Sequence, residues 1–108
     1  MRPMAEVAVL CPAAEIPAGQ IRAEFLPDGV VIALFNVDGT IYATEDTCTH
    51  GAASLSEDGT LHGCEVECSW HNGRFDVTTG EARASPCSVA LKTFPVRIVG
   101  GMVEVEYG

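Results

Sequence analysis

Two short stretches decide how this chain reads: DTCTHGAASL at residues 46–55 and ECSWHNGRF at residues 67–75. Each sets a cysteine close to a histidine and then runs into small or turn-forming residues. The chain has only three histidines, so two of them sit beside cysteines. Together Cys48, His50, Cys68 and His71 spell C-x-H-x17-C-x-x-H. Thiolate sulfur and neutral imidazole nitrogen are the donors that zinc or an iron–sulfur cluster takes. In extended backbone, residues two apart point the same way with α-carbons about 6–7 Å apart. Cys48 and His50 therefore address two adjacent metal atoms more naturally than one, and Cys68 and His71 can do the same from the other side. A mononuclear Cys₂His₂ zinc site is the alternative, although such sites usually space their paired ligands by two to four residues.

Outward from these segments the chain reads as strands and turns. EVAVL is a short first strand, followed by the proline-rich CPAAEIPAGQ with room for a single helical turn. QIRAEFL alternates apolar and polar residues as a half-buried strand does. VVIALFNV is continuously apolar and reads as a strand buried on both faces. Asp38–Gly39 is a hairpin signal leading into TIYAT, and a second Asp-Gly at 58–59 precedes TLHG and CEVEC. TTGEA at 78–82 reads as a turn, and LKTFPVRIV with MVEVEY forms a closing hairpin across Gly100–Gly101. Helical periodicity never persists. The expected class is all-β, as one domain over 1–108, with both cysteine–histidine segments on loops at strand ends, where rigid scaffolds carry site residues.

Composition narrows the function classes. A chain of 108 residues supports one core. Fifteen acidic against six basic residues give a formal charge of −9, which disfavours nucleic acid as a partner. It suits a soluble protein meeting a basic protein face. No apolar run reaches the ~20 residues that span a bilayer, and the early apolar patch is broken by Glu6, Pro12 and Glu15, which makes a poor signal peptide. A cytoplasmic address is expected, where thiols stay reduced. Five cysteines at uneven spacing do not form a disulfide framework.

C-T-H followed by C-x-x-H at this separation resembles the Rieske [2Fe–2S] motif, in which two histidines replace two cysteines on one iron. THGAASLS, HNGRFDVTTGEA and ALKTFPVRI extend the likeness over essentially the whole chain, to the small Rieske ferredoxins of bacterial aromatic-ring-hydroxylating dioxygenase systems. The resemblance implies antiparallel sheets forming a sandwich or barrel, with a small cluster-binding subdomain inserted at about 45–86. It implies Cys48 and Cys68 on the inner iron, His50 and His71 on the outer one, and Ser85–Pro86 in a third loop covering the cluster. It further implies a monomeric electron shuttle that takes single electrons from a flavin-dependent NAD(P)H reductase and delivers them to a terminal oxygenase. Such a protein catalyses nothing alone. A mononuclear iron site needs two further histidines, and only His62 remains.

The high-potential Rieske proteins of respiratory chains carry an extra, disulfide-forming cysteine in each loop. The matching positions here are Ala53 and Trp70. Where those proteins place a serine and a tyrosine that donate to sulfur, this chain has Gly73 and Phe75. Fewer donors to sulfur place the potential at the low end of the Rieske range of about −150 to +300 mV. Trp70 reads equally as a docking anchor or as packing beside the cluster. Glu45, Asp46, Glu57 and Asp58 either steer a basic partner or solvate the loops.

Cys11, in the proline-rich connection, Cys64, at a strand start, and Cys87, beyond the covering loop, read as small apolar filler. His62 reads as a surface residue. Three other functions remain open at this point. They are the small subunit of an assimilatory nitrite reductase, a zinc-stabilised binding module, and a cluster-based sensor or maturation factor.

Overall fold

A computed structural model describes residues 6–49, 53–69, 73–85, 87 and 89–108. Its strands run in chain order as β1 (Glu6–Pro12), β2 (Ile21–Phe25), β3 (Val31–Val37), β4 (Thr40–Glu45), β5 (Gly59–His62), β6 (Glu65–Cys68), β7 (Arg74–Asp76), β8 (Ala82–Ala84), β9 (Thr93–Phe94), β10 (Val96–Val99) and β11 (Met102–Tyr107). A single 3₁₀ turn, Ala13–Glu15, follows β1 where the proline-rich connection left room for one. One turn of α-helix, α1 (Leu55–Asp58), is the other helical piece among the described residues. The strands form three sheets with the orders β1-β11-β10, β2-β3-β4-β9 and β5-β6-β7-β8. Every described strand pairing is antiparallel.

Strand β3 explains the continuous apolar run. Side chains of a strand alternate between faces, and here both faces are covered. Ile32 and Leu34 enter one core with Leu26, Ile41, Phe94, Val103 and Val105. Ala33 and Phe35 enter a second core with Leu55, Val66, Phe75, Val77 and Leu91. The four residues from Ile32 to Phe35 are fully buried, so one strand welds the two cores together.

The hairpin between β3 and β4 turns where the sequence signals it, with Val37 paired to Thr40 across a two-residue loop. Asp38 and Gly39 both adopt positive φ, 50° and 95°, as a primed turn requires. Asn36 Oδ1 accepts the Gly39 amide at 2.7 Å, and its amide group donates to the Ile16 carbonyl at 2.7 Å. The closing hairpin pairs Val99 with Met102 across Gly100–Gly101.

The third sheet is an insertion. Strand β4 pairs with β9 through Ala43–Phe94 and Thr44–Thr93, although the chain between them makes all of β5 to β8. The Glu45 amide donates to the Lys92 carbonyl at 2.9 Å, and the Lys92 amide donates to Glu45 Oε2 at 2.7 Å. These bonds bring the two ends of the insertion together. Asp58–Gly59 closes α1 and opens β5.

Two readings of single cysteines change. Cys11 is buried as filler is, but within β1, opposite Val103. Cys64 is not filler: it lies in the turn between β5 and β6, with its side chain exposed. A residue at a hairpin tip has no core above it to fill.

Because Phe35 is fully buried at the junction of the sheets, truncation to alanine is expected to cost about 3–5 kcal/mol. Chemical denaturation followed by circular dichroism would measure it.

Candidate metal centre

The two cysteine-bearing loops are closed by the same backbone bond. The Cys48 amide donates to the Ala53 carbonyl at 2.9 Å, and the Cys68 amide donates to the Gly73 carbonyl at 2.8 Å. In both cases the acceptor lies five residues on, so each six-residue loop is closed by the amide of the cysteine at its first position. Both cysteine side chains are buried, 1% and 0% exposed. They share the second core with Phe75, Val66 and Leu55.

The first loop is held from below by Asp46. Its Oδ2 accepts the Ser54 hydroxyl at 2.6 Å, its Oδ1 accepts the Ser56 amide at 2.8 Å, and its carbonyl accepts the Leu55 amide at 2.7 Å. Thr47 and Ser54 form an isolated antiparallel bridge just above. Asp46 is therefore a buried structural clamp and not a solvating or steering charge; its side chain is spent on the loop. Asp58 joins the two loops: its Oδ2 accepts the Ser54 amide at 3.3 Å and its carbonyl accepts the Ser69 amide at 3.1 Å.

A third segment lies over the same core. Thr49, next to Cys48, donates its hydroxyl to the Val89 carbonyl at 2.6 Å. The Cys87 amide donates to the Ala84 carbonyl at 3.1 Å, and the Leu91 amide to the Gly80 carbonyl at 2.8 Å. Gly80 has φ +83°, and a Cβ there would overlap the Leu91 carbonyl oxygen, so only glycine fits this crossing. Cys87 is 6% exposed and packs in the same core as Cys48 and Cys68. It is buried as expected of filler, but its neighbours are the two cysteines of the motif. Burial pushes its thiol pKa up, a hydrogen bond with Cys48 opposes this, and the charge of Cys68 adds to it. The adjoining Ser85–Pro86, which the resemblance places in a covering loop, is the one local signal of this proximity.

The turn after β7 is built on Asp76. Burial alone would raise its pKa. The Thr78 hydroxyl at 2.6 Å, the Thr78 amide at 2.8 Å and Arg83 Nη2 at 3.2 Å outweigh that and hold its carboxyl below the ordinary value. His62 is exposed and pairs with Glu67 at 2.9 Å, a surface role.

Of the residues singled out in the sequence, Cys48 and Cys68 are thus brought into one buried cluster. His50, His71, Trp70 and Pro86 lie outside the described residues. Ala53 and Phe75, both buried, and Gly73 stand around the cysteines with no side-chain hydroxyl. Two buried thiols at matched positions in two loops, sharing one core, are the donor chemistry of an iron–sulfur cluster, and the residues present fit one.

A family model for the Rieske [2Fe–2S] domain matches residues 6–95. The chain belongs to the Rieske [2Fe–2S] domain family. It is 50% identical over 99 residues to the ferredoxin component of the p-cumate 2,3-dioxygenase system of Pseudomonas putida, covering 92% of this chain and 84% of that protein. Among solved structures it matches a chain in the complex of reduced oxygenase and oxidised ferredoxin in carbazole 1,9a-dioxygenase. That match has a TM-score of 0.87 and 44% identity over 93% of this chain and 92% of the other. The ferredoxin of Sphingomonas yanoikuyae B1 superposes with a TM-score of 0.89 at 37% identity, covering 95% of this chain and all of that one. The chain is a Rieske ferredoxin, an electron-transfer protein with a Rieske-type [2Fe–2S] cluster as cofactor, and not a catalyst in its own right. The small subunit of a nitrite reductase from Mycobacterium tuberculosis shares the fold at 20% identity, which carries the fold alone.

Two predictions follow from the clamps. Asp46→Ala removes two charge-assisted bonds from a buried carboxylate, at an expected cost of about 1.5–3 kcal/mol. It should also speed loss of visible absorbance on heating. Asp76 has a lowered folded pKa, so its stabilisation is full above the unfolded carboxylate value, about 3.9, and is lost as pH falls through the folded value. Asp76→Asn should therefore be less stable than the parent at pH 7 and nearly equal to it at the acid end, as urea titrations across pH would record.

Proposed function

We propose that Cys48 and Cys68 hold the inner iron of the cluster, that His50 and His71 hold the outer iron, and that residues from about 45 to 86 act as the cluster-binding subdomain. The observation that carries this reading is the pair of six-residue loops, each closed by its own cysteine amide, with both thiols buried in one cluster.

The bound cluster supplies one-electron chemistry, its 2+ oxidised core being cancelled by two thiolates and each reduction adding a single negative charge. The protein's part is to hold the ligands and keep water from the sulfurs. Burial of Cys48 and Cys68 among Phe75, Val66 and Leu55 does the second. The closures on Ala53 and Gly73, with the Asp46 clamp, do the first. Ala53 and Phe75 bring no hydroxyl and no disulfide to the cluster, which supports a potential at the low end of the Rieske range.

In this reading a flavin-dependent NAD(P)H reductase loads the ferredoxin and a terminal ring-hydroxylating oxygenase unloads it. The naming of the relatives as components of dioxygenase systems supports the assignment. The shuttle works as a cytoplasmic monomer, since two partners use the same cluster-bearing end in turn. Trp70 and Pro86 serve as docking or cluster-covering residues. Among the described residues no helix is long and apolar enough to cross a membrane.

The test is electron paramagnetic resonance of the dithionite-reduced protein with iron and sulfide analysis. Two irons per chain and a rhombic signal of mixed histidine–cysteine ligation are expected. Cys48→Ala and Cys68→Ala should each abolish both. A colourless wild-type protein holding one zinc would overturn the reading.

A further inference from the structure

The third cysteine of the buried cluster has no part in ligation as assigned above, yet it is packed with the two that do. Cys48, Cys68 and Cys87 are 1%, 0% and 6% exposed and share one core. The position of Cys87 is fixed by backbone bonds: its own amide is tied to Ala84, and the Thr49–Val89 bond pins the following residues against the first loop. Its side chain is hydrogen-bonded to that of Cys48.

We propose that the Cys87 thiol is a positioning residue for electron transfer, donating an S–H···S hydrogen bond to the sulfur of Cys48 and thereby raising the reduction potential. The direction of the bond follows from the chemistry of the pair. A thiolate bound to iron has lone pairs and no proton, so it can only accept, while a neutral thiol is a weak donor. Reduction adds negative charge that spreads onto the ligand sulfurs, and a donor to sulfur stabilises the reduced state more than the oxidised one. In apolar surroundings such a bond is stronger than in water. By the resemblance, the positions at which the high-potential Rieske proteins of respiratory chains place hydroxyl donors are here Gly73 and Phe75. Cys87 supplies a donor from a different segment, replacing in part what those side chains lack.

This inference rests on Cys48 being a ligand, and the experiment separates the two claims. Cys87→Ala, Cys87→Val and Cys87→Ser are prepared with their clusters, and reduction potentials are measured by spectroelectrochemistry at fixed pH. Valine fills the space without a donor, and serine keeps a donor of similar size. Alanine and valine are expected to shift the reduced-to-oxidised ratio at a set potential about tenfold toward oxidised, which is about 59 mV for one electron. Serine is expected to restore most of that shift. The proposal is overturned if alanine and valine leave the potential at the wild-type value, if serine falls with them, or if all three shed the cluster, since Cys87 is then packing alone. Full iron and sulfide in Cys48→Ala would overturn the ligand assignment and this inference together. Cluster loss in Cys48→Ala with an unmoved potential in the Cys87 variants would overturn only the inference.

Discussion

The matched closures of the two loops are the constraint on which the site depends. A six-residue loop has many conformations, and fixing the backbone of each residue costs on the order of 1–2 kcal/mol. A side chain at the start of such a loop is placed accurately only if its own backbone is tied. The amides of Cys48 and Cys68 are tied, each to the carbonyl five residues on. Beneath them, Asp46 fixes where the first loop leaves β4, and the Asp58 carbonyl fixes the second loop relative to the first through Ser69. The relative position of the two sulfurs is thus set by hydrogen bonds within the inserted unit, which the Asp46 amide ties to the base through the Val31 carbonyl at 3.2 Å.

Those sulfurs also form the roof of an apolar core. Phe35 and Ala33 of β3 reach into it from the base, while Val66 and Phe75 reach into it from the insertion. The same packing that makes the insertion stable keeps water from the thiols, and a low local dielectric magnifies every nearby dipole. A single donor placed at a sulfur therefore matters more here than at an exposed site. The close packing of Cys87 against Cys48 and Cys68 gains its significance from this environment.

Much of the architecture is legible in the sequence because its signals are local. The alternation in β2, the uninterrupted apolar run of β3 and the Asp38–Gly39 pair each specify structure within a few residues. The spacing of Cys48 and Cys68 relative to turn residues likewise places both cysteines at strand ends. Contacts across long separations were not legible. Asp46 looks like one more acid in an acidic chain until Ser54 and Ser56 fold back onto it. Cys87 carries no ligand spacing, and only the crossing of its segment at Gly80 and Val89 brings it to Cys48. Cys64 shows the opposite error: apolar filler is a statement about residue type, and a hairpin tip offers nothing to fill. The one-turn helix α1 is too short for periodicity to reveal, and its cap on Ser54 is what marks it.

The charge distribution has a related logic. Every arginine among the described residues is engaged with a carboxylate: Arg22 with Glu15 and Glu24, Arg74 with Glu65 and Glu67, Arg83 with Asp76 and Glu81, Arg97 with Glu104. Lys92 lies over the ring of Phe94, 5.2 Å from its centroid. Exposed pairs of this kind add little stability. Their effect is to neutralise these arginines locally, so that among the described residues the acidic groups behind the formal −9 dominate the field. Such a field speeds encounter with a basic surface more than it tightens the final complex, and salt weakens it. Attraction at long range is then set by net charge, and affinity at contact by the fit of the two surfaces.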